Sequence, residues 1–376
     1  MLSIGKTSRE YYRYISKHRW VLTVPLCIIF INILGMIILS SASLSFLKYN
    51  YLLRQAIWLL ISIIGFFSTL YVPLEALGKN ASMFYKFAIM LLILVLIPHI
   101  GLSINGSRRW LRLGFSNFQV SEYAKIAFVL YFPQLLSKNE KNHSFTCGFL
   151  IPLFHVGIFT FLLLMEPDYG TTALFFLVAM ALLFLNGCSA KVLFACGGLA
   201  SLIFVCIIML NPVRMARILS FMDLESTKLT GSYQLWQGLI GFNSGGLHGL
   251  GLGNGRQQLF YLPEAHTDFI FSVFAEELGY LFSIAIICAY ALFFIAAWVE
   301  TYHIHSPYRF LVANGIMLFL TVQTIVNFCV VMGLLPTKGI ALPFMSYGGS
   351  HLLFSYIAIG LLLNVFKTSY VNEVLH

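Results

Sequence analysis

Apolar runs long enough to cross a lipid bilayer recur along nearly the whole chain, and no other feature restricts its fold so strongly. About ten can be placed, near 20–41, 52–71, 82–98, 119–137, 148–165, 170–187, 191–211, 267–299, 310–334 and 345–366. A helix rises about 1.5 Å per residue, so about 20 apolar residues cross the hydrocarbon core. The expected fold is therefore an all-α polytopic membrane protein with about ten transmembrane helices. The eighth run is longer than one span needs, and Gln119, Ser121, Glu122 and Lys125 interrupt the fourth.

Composition agrees. Of 376 residues, 59% are hydrophobic and 10% charged, where a soluble domain carries about a quarter charged residues. One soluble core could not hide that much apolar surface. The balance is basic, with 23 Lys and Arg against 14 Asp and Glu. In a membrane protein this points to topology and anionic head groups, and no basic run with interleaved aromatics suggests nucleic acid. The seven cysteines are odd in number, contain no CxxC and sit mostly in apolar runs. They read as small buried hydrophobes without disulfides or metal. His303 and His305 read as parts of a solvated loop. Ser41-Ala42-Ser43 follows the first run as a cleavage site might, but that run is long enough to span, so it is expected to remain as an uncleaved first helix.

Lys6, Arg9, Arg13, Lys17 and Arg19 precede the first run and put the N-terminus in the cytoplasm. Ten spans return the C-terminus to that side. The expected organisation is a basic segment 1–19, one transmembrane domain 20–366 and a tail 367–376. Large extracytoplasmic loops fall near 99–118 and 212–265, the latter between helices 7 and 8. With this topology the outer side carries nearly as many cations as the inner, among them Arg108, Arg109, Arg112, Arg214, Arg217, Arg256 and Lys338. So many outer cations argue for an anionic ligand there. No GxxxxGK or GxGxxG occurs, and the glycine-rich stretch 245–255 follows no strand, which argues against a nucleotide-driven mechanism.

Four segments carry polar chemistry. Asp268, in Tyr261-Leu-Pro-Glu-Ala-His-Thr-Asp268-Phe, lies where the long loop meets the eighth span. A carboxylate deep in lipid costs about 2.5–3.5 kcal/mol, so an acid at this border normally has a task. The plainer alternative is a helix-start charge with Thr267 as cap. Asp268, Ser272, Ala275 and Gly279 share one small, partly polar helix face, suited to a close helix or a lipid chain. Glu276 and Glu277, two turns deeper, need partners, and Lys125 is a candidate. The second segment gathers Arg108, Arg109 and Arg112, whose guanidinium forks suit phosphate oxygens or lipid head groups. Glu122 and Lys125 follow it and can neutralise each other. The third, Glu166-Pro167-Asp168-Tyr169-Gly170, reads as a tight turn with Asp168 as a helix cap. The fourth runs from Gly333 through Lys338-Gly339 to Ser346-Tyr347-Gly348-Gly349-Ser350. There Lys338 could hold a phosphate or snorkel to the interface.

In this order these segments resemble the SEDS family, to which FtsW, RodA and SpoVE belong. The matching pieces are Arg54-Gln55, Arg109-Trp110 with Ser121-Glu122 and Lys125, Pro167-Asp168-x-Gly170-Thr171 and Tyr233-Gln234-x-x-Gln237. They continue with Ser244-Gly245-Gly246, Gly249-x-Gly251-x-Gly253, Pro263-Glu264-x-His266-Thr267-Asp268-Phe269 and Ser346-Tyr347-Gly348-Gly349-Ser350. Ala265 and the Pro336-Thr337-Lys338-Gly339 turn look more like the division branch than the elongation branch. Val120 and His351 depart from the family pattern, away from Asp268.

The resemblance implies ten spans in the bacterial inner membrane and polymerisation of lipid II into peptidoglycan strands. It implies a class B penicillin-binding protein and other division proteins as partners, with no nucleic acid. It implies Asp268 as the essential acid, with Arg108, Arg109, Arg256, Lys338, Glu264, His266 and Ser346 around the substrate and its diphosphate. Glu122, Lys125, Asp168, Gln234, Gln237 and Glu276 then take structural polar roles. In the expected chemistry Asp268 accepts a proton from the acceptor hydroxyl, which attacks the donor anomeric carbon with inversion and expels undecaprenyl diphosphate. No general acid is strictly required, no cofactor is assigned with certainty, and a divalent cation such as Mg or Mn could share the neutralisation of the diphosphate. A side-wall polymerase, a lipid II transporter and a non-catalytic scaffold remain as alternatives.

Overall fold

The structure, a computed structural model, describes residues 20–45, 51–104, 106–113, 116–138 and 146–375. The basic segment 1–19, Lys48, Asn105, Gly114 and Lys141 lie outside these residues. In chain order the helices are α1 (Trp20–Ser45), α2 (Tyr51–Tyr71), α3 (Leu74–Lys79), α4 (Ala81–Leu96), α5 (Val120–Lys138), α6 (Ile151–Met165) and α7 (Tyr169–Leu185). They continue as α8 (Ala190–Met209), α9 (Pro212–Met222), α10 (Tyr233–Gly245), α11 (Ile270–Thr301), α12 (Pro307–Val331) and α13 (Gly349–Leu375). Ten of these occupy the ten expected segments. Seven, counting α6 with the π-helical turn before it, are long and apolar enough to cross a membrane. Helices α4 and α7 are shorter apolar helices, and α5 carries Glu122 and Lys125 in its first turns.

Helix α13 lies along α2, α1 along α11, and α5 between α4 and α12. Phe128, Phe159, Phe175 and Phe319 stack and edge together where α5, α6, α7 and α12 meet. Helix α8 packs on α7 and α9 and leaves Phe194, Leu199 and Leu202 exposed, as suits a helix facing lipid tails.

The two long loops are structured. Between α4 and α5 lies a three-stranded antiparallel sheet of β1 (Gly101–Ile104), β2 (Ser107–Leu113) and β3 (Ser116–Gln119). The second loop contains α9, α10 and a π-helical turn at Gln257–Tyr261.

Helix α11 departs from expectation. It starts at Ile270, so Asp268 precedes it, and Gly279 breaks it with φ 79° and ψ −177°. The anticipated single face from Asp268 to Gly279 is therefore not one helical stripe. Its helical part packs on the glycines of α10. A Cβ on Gly238 would lie 2.9 Å from the Phe269 ring, and one on Gly245 would lie 2.1 Å from the Ala275 carbonyl oxygen. Thr267 does not cap the helix; its Oγ1 donates to Glu264 Oε2 at 2.8 Å.

Lys125 does not reach Glu276 or Glu277. It pairs with Glu122 Oε1 at 2.8 Å and donates to Gln323 Oε1 at 3.0 Å. The two deeper acids bind the glycine-rich loop instead. Glu276 accepts from the Arg256 and Gln257 amides at 3.0 and 3.1 Å. Glu277 Oε1 accepts from Ser41 Oγ at 2.7 Å and the Gly253 amide at 3.2 Å. The loop also pairs with the break in α11, where the Tyr280 amide donates to the Gly246 carbonyl at 2.9 Å and the Leu250 amide to the Glu276 carbonyl at 3.0 Å. Acids inside a membrane protein need donors, and backbone amides without helical partners provide them. Cys27 is buried as expected, but Cys206 and Cys288 are exposed on their helices.

Candidate functional site

Asp268 ends a turn that begins at Pro263. Glu264 adopts left-handed backbone geometry there, with φ 54°, a costly conformation that persists only when the surroundings impose it. Those surroundings come from three elements. Gln234 of α10 donates to the Pro263 carbonyl at 3.1 Å. Buried Ser346 donates from Oγ to the Thr267 carbonyl at 2.7 Å, and the Tyr347 amide donates to the His266 carbonyl at 2.9 Å. Asn327 of α12 donates to the Asp268 carbonyl at 2.9 Å. The His266 ring stacks on Tyr51 with centroids 4.4 Å apart. Gln237 lies about one turn beyond Gln234 on α10.

The carboxylate itself faces the segment after α12. A Cβ on Gly339 would stand 3.1 Å from Asp268 Oδ2, so glycine lets the backbone beside Lys338 close on the acid. Burial pushes the Asp268 carboxyl up to about 7, the negative charge of Glu264 adds to this, and Arg109 opposes it. A carboxylate poised there is suited to accept a proton near neutral pH.

A group of cations lies beside it. The Pro167 carbonyl accepts from Arg109 Nη2 and from Arg214 Nη2, each at 3.1 Å. Arg109 comes from β2 and Arg214 from the first turn of α9. Asp168 caps α7 through the Thr171 amide at 3.2 Å, and its Oδ2 stands 3.5 Å from Arg109 Nε. Lys338 passes close to Gly170, where a Cβ would lie 3.7 Å from its Cδ. Burial lowers the Lys338 ammonium, Asp168 raises it, and Arg214 lowers it again. The Arg214 guanidinium sits over the Tyr169 ring at 5.0 Å; burial first, then Arg217 and Arg109, lower its pKa.

Glu166 does not neutralise this group. It is fully buried, neither carboxyl oxygen has a hydrogen-bond partner among the described residues, and burial followed by the charge of Asp168 pushes it up to about 9. It is therefore uncharged near pH 7. Arg109, Arg214 and Lys338 gather around Asp168, and this concentration of positive charge suits a phosphate or diphosphate.

The structure thus gathers Asp268, Arg109, Lys338, Asp168, Glu264, His266 and Ser346. Two cations anticipated at the site are exposed. Arg108 is exposed and donates to the Leu96 carbonyl at 3.4 Å. Arg256 is exposed on the glycine-rich loop, with its amide on Glu276. The residues not singled out in advance are Arg214, Glu166 and Asn327. Arg214 was one of several outer cations, and only the α9 fold brings it to Pro167.

Among the described residues no three His, Cys, Asp or Glu side chains gather as for a metal. Asp168 is already engaged by Thr171 and Arg109, and Glu166 is uncharged.

The family model described as "Cell cycle protein", which covers FtsW, RodA and SpoVE, matches residues 21–371. The chain belongs to that family. A protein of Coxiella burnetii named "Probable peptidoglycan glycosyltransferase FtsW" is 39% identical over 358 residues, 91% of this chain and 95% of the relative. One of the same name from Idiomarina loihiensis is 37% identical, covering 88% of this chain and 83% of the relative. Among solved structures, a chain of a peptidoglycan synthase complex that coordinates polymerization and crosslinking superposes with a TM-score of 0.79 at 25% identity, covering 92% of this chain and 97% of that one. The rod shape determining protein RodA of Thermus thermophilus superposes with a TM-score of 0.70 at 25% identity, covering 92% and 96%. Like these family members, the chain is a multi-pass helical membrane protein.

Proposed function

We propose that this chain is a peptidoglycan glycosyltransferase that polymerises lipid II for the division septum, from the outer face of the bacterial inner membrane. The observation that carries this reading is the adjacency of a carboxyl poised near pH 7 and a cation-rich cradle. Asp268 takes the proton from the acceptor hydroxyl as its oxygen attacks the anomeric carbon of the donor, on the face opposite the leaving group. The bond to undecaprenyl diphosphate breaks, and Arg109, Arg214 and Lys338 stabilise the charge that develops on the diphosphate. A diphosphate leaves as an anion, so one carboxylate suffices where an inverting glycosidase needs two. Family membership and the identities of 37–39% to proteins named as glycosyltransferases support this over a transporter or a scaffold. Likeness to a chain of a synthase complex that also crosslinks supports a class B penicillin-binding protein as partner.

The test is polymerisation of labelled lipid II by the purified protein with its cognate class B partner, with moenomycin present to silence other glycosyltransferases. Wild type is expected to make glycan strands and Asp268→Asn none. Strands from both would move the base elsewhere. None from either, with folded and partnered protein, would favour a transporter or scaffold.

A further inference from the structure

Helix α12 carries a ladder of buried amides that Asp268 chemistry has not yet used. Gln323 and Asn327 are four residues apart and share one face; both are buried. Asn327 Nδ2 donates to two carbonyls from different segments, Asp268 at 2.9 Å and Ile340 at 2.7 Å. One turn away, Gln323 Nε2 donates to the Ala341 carbonyl at 2.9 Å. Its Oε1 accepts from Lys125 at 3.0 Å, and Lys125 is held by Glu122 at 2.8 Å, which His351 Nδ1 approaches at 3.3 Å. The Ile340 and Ala341 carbonyls lie outside any helix or strand and accept from these amides, and a carbonyl left unpaired away from water is costly. The ladder satisfies three such carbonyls. In doing so it ties the turn bearing Asp268 to the segment bearing Lys338 and Gly339.

We propose that Asn327 and Gln323 are positioning residues for Asp268, with the buried Glu122–Lys125 pair acting on the reaction through Gln323 rather than on substrate. This rests on the reading of Asp268 as the base. Asn327 fixes the acid against Gly339, and Gln323 fixes the adjoining backbone. Lys125 occupies the acceptor oxygen of Gln323 and so holds that amide with its donor group towards Ala341. Glu122 holds Lys125. The role of the intramembrane ion pair is thereby mechanical, two hydrogen bonds removed from the acid. The charged groups acting on Asp268 itself are Glu264 on its own turn and Arg109 from β2.

The test compares Asn327→Leu, Gln323→Leu, Lys125→Met and the double variant Lys125→Met/Gln323→Leu with wild type in lipid II polymerisation, recording kcat, KM and the pH profile. Thr321→Val on the same helix serves as a packing control, and thermal melting checks the fold. Asn327→Leu keeps the branching pattern at a larger volume and cannot donate. It is expected to lower kcat about tenfold to a hundredfold, the scale of a misplaced reacting group, with the acidic limb moved to lower pH as water reaches Asp268. Lys125→Met and Gln323→Leu should each lower kcat, and the double variant should fall no further than the worse single one. Wild-type kcat and pH limb in a folded Asn327→Leu protein would overturn the proposal, as would additive losses in the double variant. If Asn327→Leu does not fold, Gln323→Leu and the double variant decide. An active Asp268→Asn protein would overturn the function reading instead. A dead Asp268→Asn beside a normal Asn327→Leu would overturn only the positioning role.

Discussion

The pH dependence of polymerisation follows from the surroundings of Asp268 and can be worked through. Its carboxyl is pushed up to about 7, burial contributing most and Glu264 next, against the pull of Arg109. A general base works in its ionised form, so activity should be lost as pH falls through about 7 and recover above it. With one ionisation, about a tenth of the protein is competent at pH ~6 and about nine-tenths at pH ~8. An ordinary aspartate, with a pKa of about 3.9, would give a flat profile over that range. The contributions have opposite signs and can be separated. Glu264→Gln removes a nearby negative charge, so its acidic limb should move to lower pH. Arg109→Ala removes a nearby positive charge, so its limb should move to higher pH, with weaker donor binding as well. The assay is the initial rate of lipid II polymerisation at low substrate from pH ~5.5 to ~9, with melting temperatures recorded at each pH. A flat wild-type profile, or a Glu264→Gln limb that moves upward, would refute this account of the acid.

Three further outcomes are expected. Arg214→Gln should lower kcat/KM for lipid II about tenfold to a hundredfold, with kcat itself reduced, since the charge-assisted contact it loses, about 1.5–3 kcal/mol, strengthens as charge develops on the diphosphate; steady-state kinetics check it. Glu166→Gln should raise the melting temperature at pH ~7.5. The folded carboxyl, pushed up to about 9, stays protonated there while the unfolded one ionises, so stability falls as pH rises between the two values and the amide removes that loss. Gly279→Ala should destabilise the protein by about 2–3 kcal/mol in a thermal melt, because its Cβ would lie 2.4 Å from the Gly249 amide at a φ of 79° that only glycine adopts readily.

Much of this was legible in the sequence, for physical reasons that also mark the limit. A span declares itself by local composition, so the helices lie on the apolar runs, although α13 continues to Leu375, well past the expected end at 366. Asp268 at a loop border and Asp168 before a small-residue helix start are local patterns, and both stand where expected. The partners of buried polar groups are not local. Lys125 looked available to Glu276 and Glu277 because all three lie in apolar surroundings, but which helices touch is set by packing across the whole bundle. The three-stranded sheet between α4 and α5 was hidden because a short, polar, arginine-rich segment has no clear period. Arg214 resembled the other outer cations until α9 folded it back over Tyr169. Gln323 and Asn327 sit in an otherwise apolar helix and read as ordinary intramembrane amides; their importance depends on carbonyls contributed from elsewhere.

The break at Gly279 has a mechanical consequence. The stretch 280–301 is long enough to meet the bilayer along most of its length, and such helices tilt to match local lipid thickness. The stretch 270–278 is bonded sideways to α10 and, through Glu276 and Glu277, to the glycine-rich loop. The joint between them is clamped from both sides, the Leu250 amide donating to the Glu276 carbonyl at 3.0 Å and the Tyr280 amide to the Gly246 carbonyl at 2.9 Å, so the change of direction at Gly279 is held by the loop. The angle between the lipid-facing helix and the turn that bears Asp268 is thereby set by the glycine-rich loop rather than by the helix itself.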